Sequence, residues 1–310
     1  MSVQPIDGVV PIAVMPFDSN GAVDFNGLQS QIEFMIAQKI KWVGFGYGSE
    51  VYTLGDAELL EVLRRAVKAS QGAINIVGNL EMTSSFAATE KLLNLKETGV
   101  EMVMVRPHGM WAQANQSHLI ETLLELDKEV GVRMIYQDAP QNTGVQVSAD
   151  SLLSLVDSSS HIKSLKIEPP APSLKVLEVS KRAKGKKPQD LAIIGGLGGI
   201  EIIEEIKNGS IGTMPGPAFP EIFRSIIELI QKGDEIRARK FFNRILPLLL
   251  FSNRDMATFL FVQKYILVKR KVLTGTSLRM PSSDLRAGTQ EELEFLLKVI
   301  EFDSILEECK

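Results

Sequence analysis

Short, mostly apolar runs alternate with longer amphipathic segments over about the first 230 residues. The apolar runs fall at residues 8–14, 42–45, 74–77, 102–105, 133–136, 162–167, 191–194 and 211–214. Short apolar runs of this kind are typical of parallel strands that are covered on both faces. The segments between them repeat apolar residues at helical spacing. In segment 24–39, for example, Asp24 provides a cap before Leu28 and Ile32.

Eight strand–helix units in about 230 residues match the count and length of a (β/α)₈ barrel, the TIM barrel. A doubly wound open sheet is the competing architecture, and the count of eight favours closure. After Gly233 the pattern changes to three long helical segments without strands, at 234–250, 256–271 and 291–301. The sequence therefore predicts an α/β protein with a barrel catalytic domain at 1–232 and an α-helical C-terminal domain of three helices at 233–310.

Composition excludes several classes of function. The 310 residues carry a net charge of −4, so nucleic acid is not expected as a partner. Apolar runs are too short to span a bilayer, and the first residues lack the pattern of a signal peptide. The single cysteine, Cys309, has no partner for an internal disulfide, which fits a reducing compartment. We therefore predict a cytoplasmic protein that does not bind membranes.

The most informative stretch is the sixth strand, where Lys166 lies between Leu165 and Ile167. Burying an ammonium group is costly unless the group is paired or loses its proton, and a neutral lysine is a nucleophile. A lysine at a strand end also commonly reaches solvent, so this residue alone does not establish catalysis. In barrels, however, functional residues lie at the C-terminal ends of strands, where Lys166 is expected.

Tyr136 closes the fifth strand at a position that corresponds to Lys166 on the sixth. Neighbouring strands are about 4.8 Å apart. A phenol and an amine at matching heights would therefore converge on one small ligand, and the phenol would shuttle protons. The alternative interpretation is a tyrosine packed in the core.

Glycine-rich loops follow three other strands. In the first loop, at residues 44–50, backbone N–H groups would suit a carboxylate or a phosphate, unless the glycines only form a tight turn. The loops at 195–199 and 212–216 would clear space for a ligand or bind phosphate above the barrel. The three histidines are scattered and no Cys/His cluster exists, so we predict no metal site.

Together these segments resemble the dihydrodipicolinate synthase / N-acetylneuraminate lyase family of Schiff-base barrels over nearly the whole chain. The matching pieces, in family order, are 8–17, 46–58, 136–144 and 165–168. The resemblance implies that Lys166 attacks the C2 ketone of pyruvate or of a 2-keto-3-deoxy acid and that Tyr136 moves protons. It also implies that N–H groups around Gly48 and Ser49 hold the substrate carboxylate. The lysine supplies the electron sink, so no cofactor is implied, and the family implies homodimers or homotetramers.

The chain departs from the synthases of lysine biosynthesis at three places. It has Tyr47 and Gly48 where those enzymes carry two threonines, His108 and Gly109 where they carry an aromatic pair, and Asn142 where they carry an arginine. These changes weigh against lysine biosynthesis. The motifs at 137–140, 166–168 and 212–216 look more like the sugar-acid branch of the family, such as the 2-keto-3-deoxy-arabonate type dehydratases.

We therefore predict a Schiff-base lyase that acts on pyruvate or a 2-keto-3-deoxy sugar acid by aldol cleavage, condensation or dehydration. The alternatives are a true dihydrodipicolinate synthase that condenses pyruvate with aspartate semialdehyde, a non-catalytic barrel that binds a 2-oxo acid, and a phosphate-binding barrel enzyme without covalent chemistry. The remaining predicted substrate contacts come from strand ends and the adjoining loops: Tyr47, Glu81, His108, Asp138, Asn142, Gly196 and Ile211.

Overall fold

Eight parallel strands form the centre of the computed structural model, which describes residues 5–281 and 285–309. The strands are β1 (Gly8–Val9), β2 (Trp42–Gly44), β3 (Asn75–Met82), β4 (Met102–Pro107), β5 (Met134–Asp138), β6 (Ile162–Ile167), β7 (Ala192–Gly195) and β8 (Gly212–Thr213). They pair in the order β1-β8-β7-β6-β5-β4-β3-β2. Gly44 exchanges backbone hydrogen bonds with Pro11 and Ala13, just after β1, and these bonds join the two ends of the sheet.

Helices surround the strands. They are α1 (Phe25–Ala37), α2 (Asp56–Ser70), α3 (Ser85–Glu97), α4 (Gln116–Val130), α5 (Pro140–Thr143), α6 (Ala149–Ser158), α7 (Pro172–Arg182), α8 (Ile202–Lys207) and α9 (Pro220–Gln231). The side chains of Asp24, Ser84 and Ser148 accept hydrogen bonds from first-turn N–H groups and thereby fix where α1, α3 and α6 begin. The predicted TIM barrel is confirmed.

Two strands run further than their apolar runs. β3 continues through Glu81 and β4 continues through Arg106. The sequence pattern ended these strands at residues 77 and 105, because the continuous apolar run stops there. Glu81 and Arg106 nevertheless remain in the ladder as direct register partners. The polar residues mark the height at which the apolar interior of the barrel gives way to a polar mouth.

Apolar side chains form two layers, one on each side of the sheet. The inner layer fills the barrel and includes Ile135 of β5, whereas Tyr136 of the same strand belongs to the outer layer beneath the helices. Leu165 of β6 also belongs to the outer layer. Because successive side chains of a strand point to opposite faces, Gln137 and Lys166 face the inside of the barrel.

The chain after the barrel is helical. It contains α10 (Glu235–Ser252), α11 (Met256–Lys269), α12 (Thr289–Val299) and α13 (Phe302–Glu307). The three longer helices match the predicted segments, and α13 is an additional short helix. The predicted boundary at 232/233 falls between α9 and α10, and the division into two domains stays a prediction. Within the described ranges, no helix is long and apolar enough to cross a membrane.

A buried ion pair ties α11 to the loop that follows β2. Lys264 and Glu50 are both fully buried, and Lys264 Nζ lies 2.5 Å from Glu50 Oε2. The other carboxylate oxygen of Glu50 accepts the backbone N–H of Arg279 at 3.0 Å, and Lys264 also donates to the carbonyl of Ser277. Burial lowers the pKa of Lys264 to about 8, although the Glu50 carboxylate opposes this shift. The charges compensate each other in a place where neither can be hydrated.

We expect Lys264→Met to lower the free energy of unfolding by about 3–5 kcal/mol, because it leaves the Glu50 carboxylate buried without its cation. The matched control is Arg254→Met, which breaks the half-exposed pair between Arg254 and Glu292 and should cost about 1 kcal/mol or less. Urea unfolding at one protein concentration measures both losses. Equal losses in the two variants would contradict this assignment.

Candidate active site

Lys166 lies at the C-terminal end of β6 and faces into the barrel. Its side chain is almost fully buried, with 5% of its surface exposed. Its register partners are Gln137 on β5 and Ile194 on β7. The predicted position of this lysine at a strand end is confirmed, and the lysine is buried rather than turned to solvent. A buried amine at the mouth of a barrel is positioned to react with a carbonyl compound.

Glu168 is the nearest charged partner of the lysine. Its Oε2 lies 3.1 Å from Lys166 Nζ and accepts a hydrogen bond from Gln137 Nε2 at 2.6 Å. Its Oε1 accepts the backbone N–H of Leu197 at 2.9 Å. Burial opposes ionisation, but the lysine and the N–H donors outweigh it and hold the pKa of Glu168 below its ordinary value. Glu168 is thus a buried, ionised carboxylate in contact with the amine.

Gly196 makes room for this carboxylate. A Cβ atom at Gly196 would lie 2.1 Å from Glu168 Oε1, a distance that no side chain can occupy. The predicted site residue Gly196 therefore lacks a side chain at the place that the Glu168 carboxylate occupies. Two other glycines of the loops after β7 and β8 also lie close to side chains: Asn253 lies against Gly198, and Gln263 lies against Gly216.

The structure does not bring Tyr136 together with Lys166. The tyrosine is the register partner of Leu165 and packs in the outer layer, so its hydroxyl lies on the side of the sheet away from the amine. Burial, and next the neighbouring Asp138 carboxylate, raise the pKa of Tyr136 well above its ordinary value. The predicted meeting of phenol and amine is wrong, because a shift of one residue along a strand reverses the face. Gln137 occupies the inward position instead.

Asp138 faces outward as well. It is the register partner of Ile167, and the charged groups that act on it include Lys175 of α7. Burial raises the pKa of Asp138 to about 6. The predicted contact of this side chain with a ligand in the barrel is therefore not supported, because the sheet separates the two.

Polar groups of the loop after β2 form hydrogen bonds with one another. Ser49 is fully buried, and its hydroxyl accepts the N–H of Gly46 at 3.1 Å. The N–H of Ser49 in turn donates to the carbonyl of Gly46 at 2.8 Å. Gly48 packs closely against the ring of Phe259 from α11. The predicted role of the Ser49 N–H as a carboxylate donor therefore does not fit, since this group already has an acceptor.

A second polar cluster contains the predicted residues Tyr47 and Glu81 and also Arg106, which sequence reasoning missed. Arg106 Nη2 lies 2.7 Å from Glu81 Oε1, and the Tyr47 hydroxyl donates to the same oxygen at 3.0 Å. The guanidinium carbon of Arg106 lies 3.4 Å from the centroid of the Tyr47 ring. A single sequence signal existed, namely an arginine that directly follows the apolar run 102–105.

The remaining predicted residues lie at the rim or below the mouth. His108 begins the loop after β4, and its Nδ1 accepts the N–H of Met110 at 3.2 Å. Asn142 lies exposed on α5, in the neighbouring loop. Ile211 directly precedes β8 and packs against the inner apolar layer. Their contacts with a substrate stay predictions. Among the described residues, no group of three or more His, Cys, Asp or Glu side chains is placed to hold a metal ion.

Behind β7, on the outer side of the sheet, Glu205 of α8 is a second buried carboxyl group. It is fully buried and lies against Gly195, where an added Cβ would meet its carboxyl oxygen at 1.9 Å. Neither oxygen has a hydrogen-bond partner in the described part of the chain. Burial raises the pKa of Glu205 to about 8. The N–H of Gly196 lies nearby without the geometry of a hydrogen bond and opposes this shift only in part.

The chain is similar to a known family over almost its whole length. The model of the dihydrodipicolinate synthetase family matches residues 5–300. A 4-hydroxy-tetrahydrodipicolinate synthase from Methanococcus vannielii is 25% identical over 249 residues, which cover 79% of this chain and 82% of that protein. An uncharacterized DapA-like lyase from Rhizobium meliloti is 29% identical over 154 residues, 49% of this chain and 50% of that protein.

Solved structures share the fold. The dihydrodipicolinate synthase from Rhodopseudomonas palustris superimposes with a TM-score of 0.87 at 23% identity, covering 96% of this chain and 99% of that chain. YagE, a prophage protein of the dihydrodipicolinic acid synthase family from E. coli K12 in complex with pyruvate, gives a TM-score of 0.86 at 19% identity, covering 96% and 99%. At these identities the likeness establishes the barrel with its helical region.

We expect Glu205→Gln to change the pH dependence of stability. The folded pKa of about 8 lies above the ordinary value of 4.5, so the contribution of Glu205 is fully present below pH 4.5 and is lost as pH rises towards 8. The neutral isostere avoids this loss. The variant should therefore match wild type near pH 5 and exceed it by about 2–5 kcal/mol at pH 8. Urea midpoints at both pH values measure this, and a difference that does not depend on pH would refute it.

Proposed function

Because the chain belongs to the dihydrodipicolinate synthetase family, whose members are lyases, we propose that it forms a Schiff base between Lys166 and a 2-oxo acid. The substrate class is pyruvate or a 2-keto-3-deoxy sugar acid. The single observation that supports this most strongly is the buried contact of 3.1 Å between Lys166 Nζ and Glu168 Oε2 at the mouth of the barrel. The amine has a base within hydrogen-bond distance and is shielded from bulk water.

Schiff-base formation requires that the Lys166 ammonium lose a proton before its nitrogen attacks the substrate. Glu168 accepts a proton from the ammonium of Lys166, and the neutral amine then attacks the C2 carbonyl. The carbinolamine loses its oxygen as water, with the proton supplied by the same carboxyl group. The resulting iminium withdraws electrons from C3. This permits cleavage of the C3–C4 bond, or loss of a C3 proton followed by departure of a C4 hydroxyl group.

Glu168 and Gln137 take the place that sequence reasoning gave to Tyr136. The carboxylate lies on the same side of the sheet as the amine, and Gln137 Nε2 fixes its Oε2 at 2.6 Å. A carboxylate held in this way reaches both the nitrogen and the carbon next to the iminium without a large movement. The role of proton carrier therefore belongs to Glu168, and Gln137 is a positioning residue.

A dihydrodipicolinate synthase that condenses pyruvate with aspartate semialdehyde is the second candidate. The names of relatives such as the M. vannielii enzyme favour it. The neutral, exposed Asn142 weighs against it, since this side chain offers no charge to the carboxylate of a second substrate. Coupled turnover of pyruvate with aspartate semialdehyde distinguishes the two candidates, and dehydration of 2-keto-3-deoxy acids is the parallel assay.

The covalent step is tested by borohydride reduction in the presence of pyruvate, followed by intact mass and peptide mapping. We expect one stable adduct, on the peptide that contains Lys166, and none in Lys166→Ala. The matched control is Lys163→Ala on the same strand, because Lys163 faces outward and donates to the carbonyl of Val156. If pyruvate and longer 2-oxo acids all fail to give an adduct, the proposal is wrong and the protein is a non-catalytic barrel.

The inward position of Gln137 is tested by comparing two neighbouring substitutions. Tyr136→Phe should leave the rate of adduct formation within about twofold of wild type, because the lost hydroxyl lies outside the barrel. Gln137→Leu should lower this rate about 10-fold or more, because it removes a hydrogen bond to the Glu168 carboxylate. The pH profile of trapping should also shift in Gln137→Leu alone. The reverse ranking of the two variants would restore the tyrosine as the acid–base group.

A further inference from the structure

Arg106 is a buried cation at the mouth of the barrel that the proposed chemistry does not yet use. Its strand, β4, pairs with β5 through Val105 and Tyr136, so the next residue along β4 lies beside Gln137. Gln137 is in turn the register partner of Lys166. Arg106, Gln137 and Lys166 therefore form a row across three neighbouring strands, and all three side chains face the barrel axis.

The guanidinium group of Arg106 leaves part of its hydrogen-bonding capacity unused. Nη2 bonds to Glu81, and the flat face of the group stacks on the Tyr47 ring. Nε has no hydrogen-bond partner in the described part of the chain, although only 3% of the residue is exposed. An arginine carries five N–H donors, and leaving a buried donor unsatisfied is costly. Such a group is ready to accept an anion.

The loop after β2 offers no cationic side chain for this function. The hydroxyl of Tyr47 donates to Glu81, and the hydroxyl of Ser49 accepts from the N–H of Gly46. Gly48 has no side chain, and a Cβ atom there would lie 3.1 Å from the Phe259 ring and 3.4 Å from Ile12. A carboxylate that approaches this side of the mouth therefore finds Arg106 as the charged donor.

We propose that Arg106 binds the C1 carboxylate of the 2-oxo acid whose C2 carbon reacts with Lys166. This inference rests on the proposed function and adds the residue that recognises the substrate class. Arg106 and Lys166 are two strands apart, roughly 10 Å along the sheet at about 4.8 Å per strand. Both residues occupy inward positions, and Gln137 lies between them. Tyr47 holds the guanidinium plane, and Glu81 keeps it on the β3 side.

The same arrangement makes a free carboxylate next to the ketone a requirement. Lys166 and Arg106 are already balanced by Glu168 and Glu81, so the C1 carboxylate is recognised by the unused N–H donors of Arg106 and not by a net positive charge. An ester at C1 presents a carbonyl to Lys166 but offers Arg106 no charge. Discrimination between acid and ester is thus the property that depends on Arg106.

The test compares pyruvate with methyl pyruvate in borohydride trapping of wild type and Arg106→Met. In wild type we expect pyruvate to reach half-saturation at a much lower concentration than its ester. In Arg106→Met the half-saturating concentration of pyruvate should rise about 10- to 100-fold, while that of the ester stays unchanged. Arg106→Lys keeps the positive charge but not the paired N–H donors of the guanidinium group, so its half-saturating concentration of pyruvate should lie between those of wild type and Arg106→Met. If the methionine variant does not fold, Arg106→Lys replaces it in the comparison.

The matched control is Arg133→Met, at the opposite end of β5. Arg133 pairs with Glu101 at 2.6 Å and lies over the Trp42 ring, but it is far from the mouth, so both half-saturation values should match wild type. A wild type that forms an adduct and an Arg106→Met variant with unchanged discrimination would overturn this inference alone. If wild type forms no adduct with either compound, the proposed function and this inference both fall.

Discussion

In a closed barrel of parallel strands every second side chain faces the axis, and this alternation decides which polar groups share the mouth of this protein. Lys166, Gln137 and Arg106 occupy inward positions on three consecutive strands, while Tyr136 occupies the adjacent outward position on β5. Their partners are other groups at the mouth: Glu168 for Lys166 and Gln137, and Glu81 for Arg106.

Two buried carboxyl groups on opposite sides of β7 show how strongly nearby hydrogen-bond donors and cations control whether a carboxyl group is ionised. Glu168 has Lys166 and the N–H donors of Gln137 and Leu197, and these hold its pKa below the ordinary value despite burial. Glu205 has no hydrogen-bond partner in the described part of the chain, and burial raises its pKa to about 8. At neutral pH the negative charge is therefore concentrated beside the lysine. The glycines at 195 and 196 allow both carboxyl groups to approach the strand.

The barrel and the position of Lys166 could be predicted from the sequence because both depend on local patterns, namely apolar runs, helical spacing and a lysine within a strand. The sequence could not show which side chains of β5 point into the barrel, since the register of β5 with β6 is set by long-range pairing. That pairing contains an irregularity at Met134 and Ile135. Arg106 was missed for a related reason: its strand continues beyond the apolar run, and the run was the only signal of where the strand ended.

The buried contact between Lys264 and Glu50 joins the helical tail to the loop that borders the barrel mouth. Arg279 adds to this connection through Glu50 and through a paired contact with Glu58 on α2. Removing either partner would leave the charge of the other buried without compensation. The loop and the tail are therefore energetically coupled. A chimera whose new loop lacks Glu50 would leave Lys264 buried without its counterpart, whatever the quality of its active site.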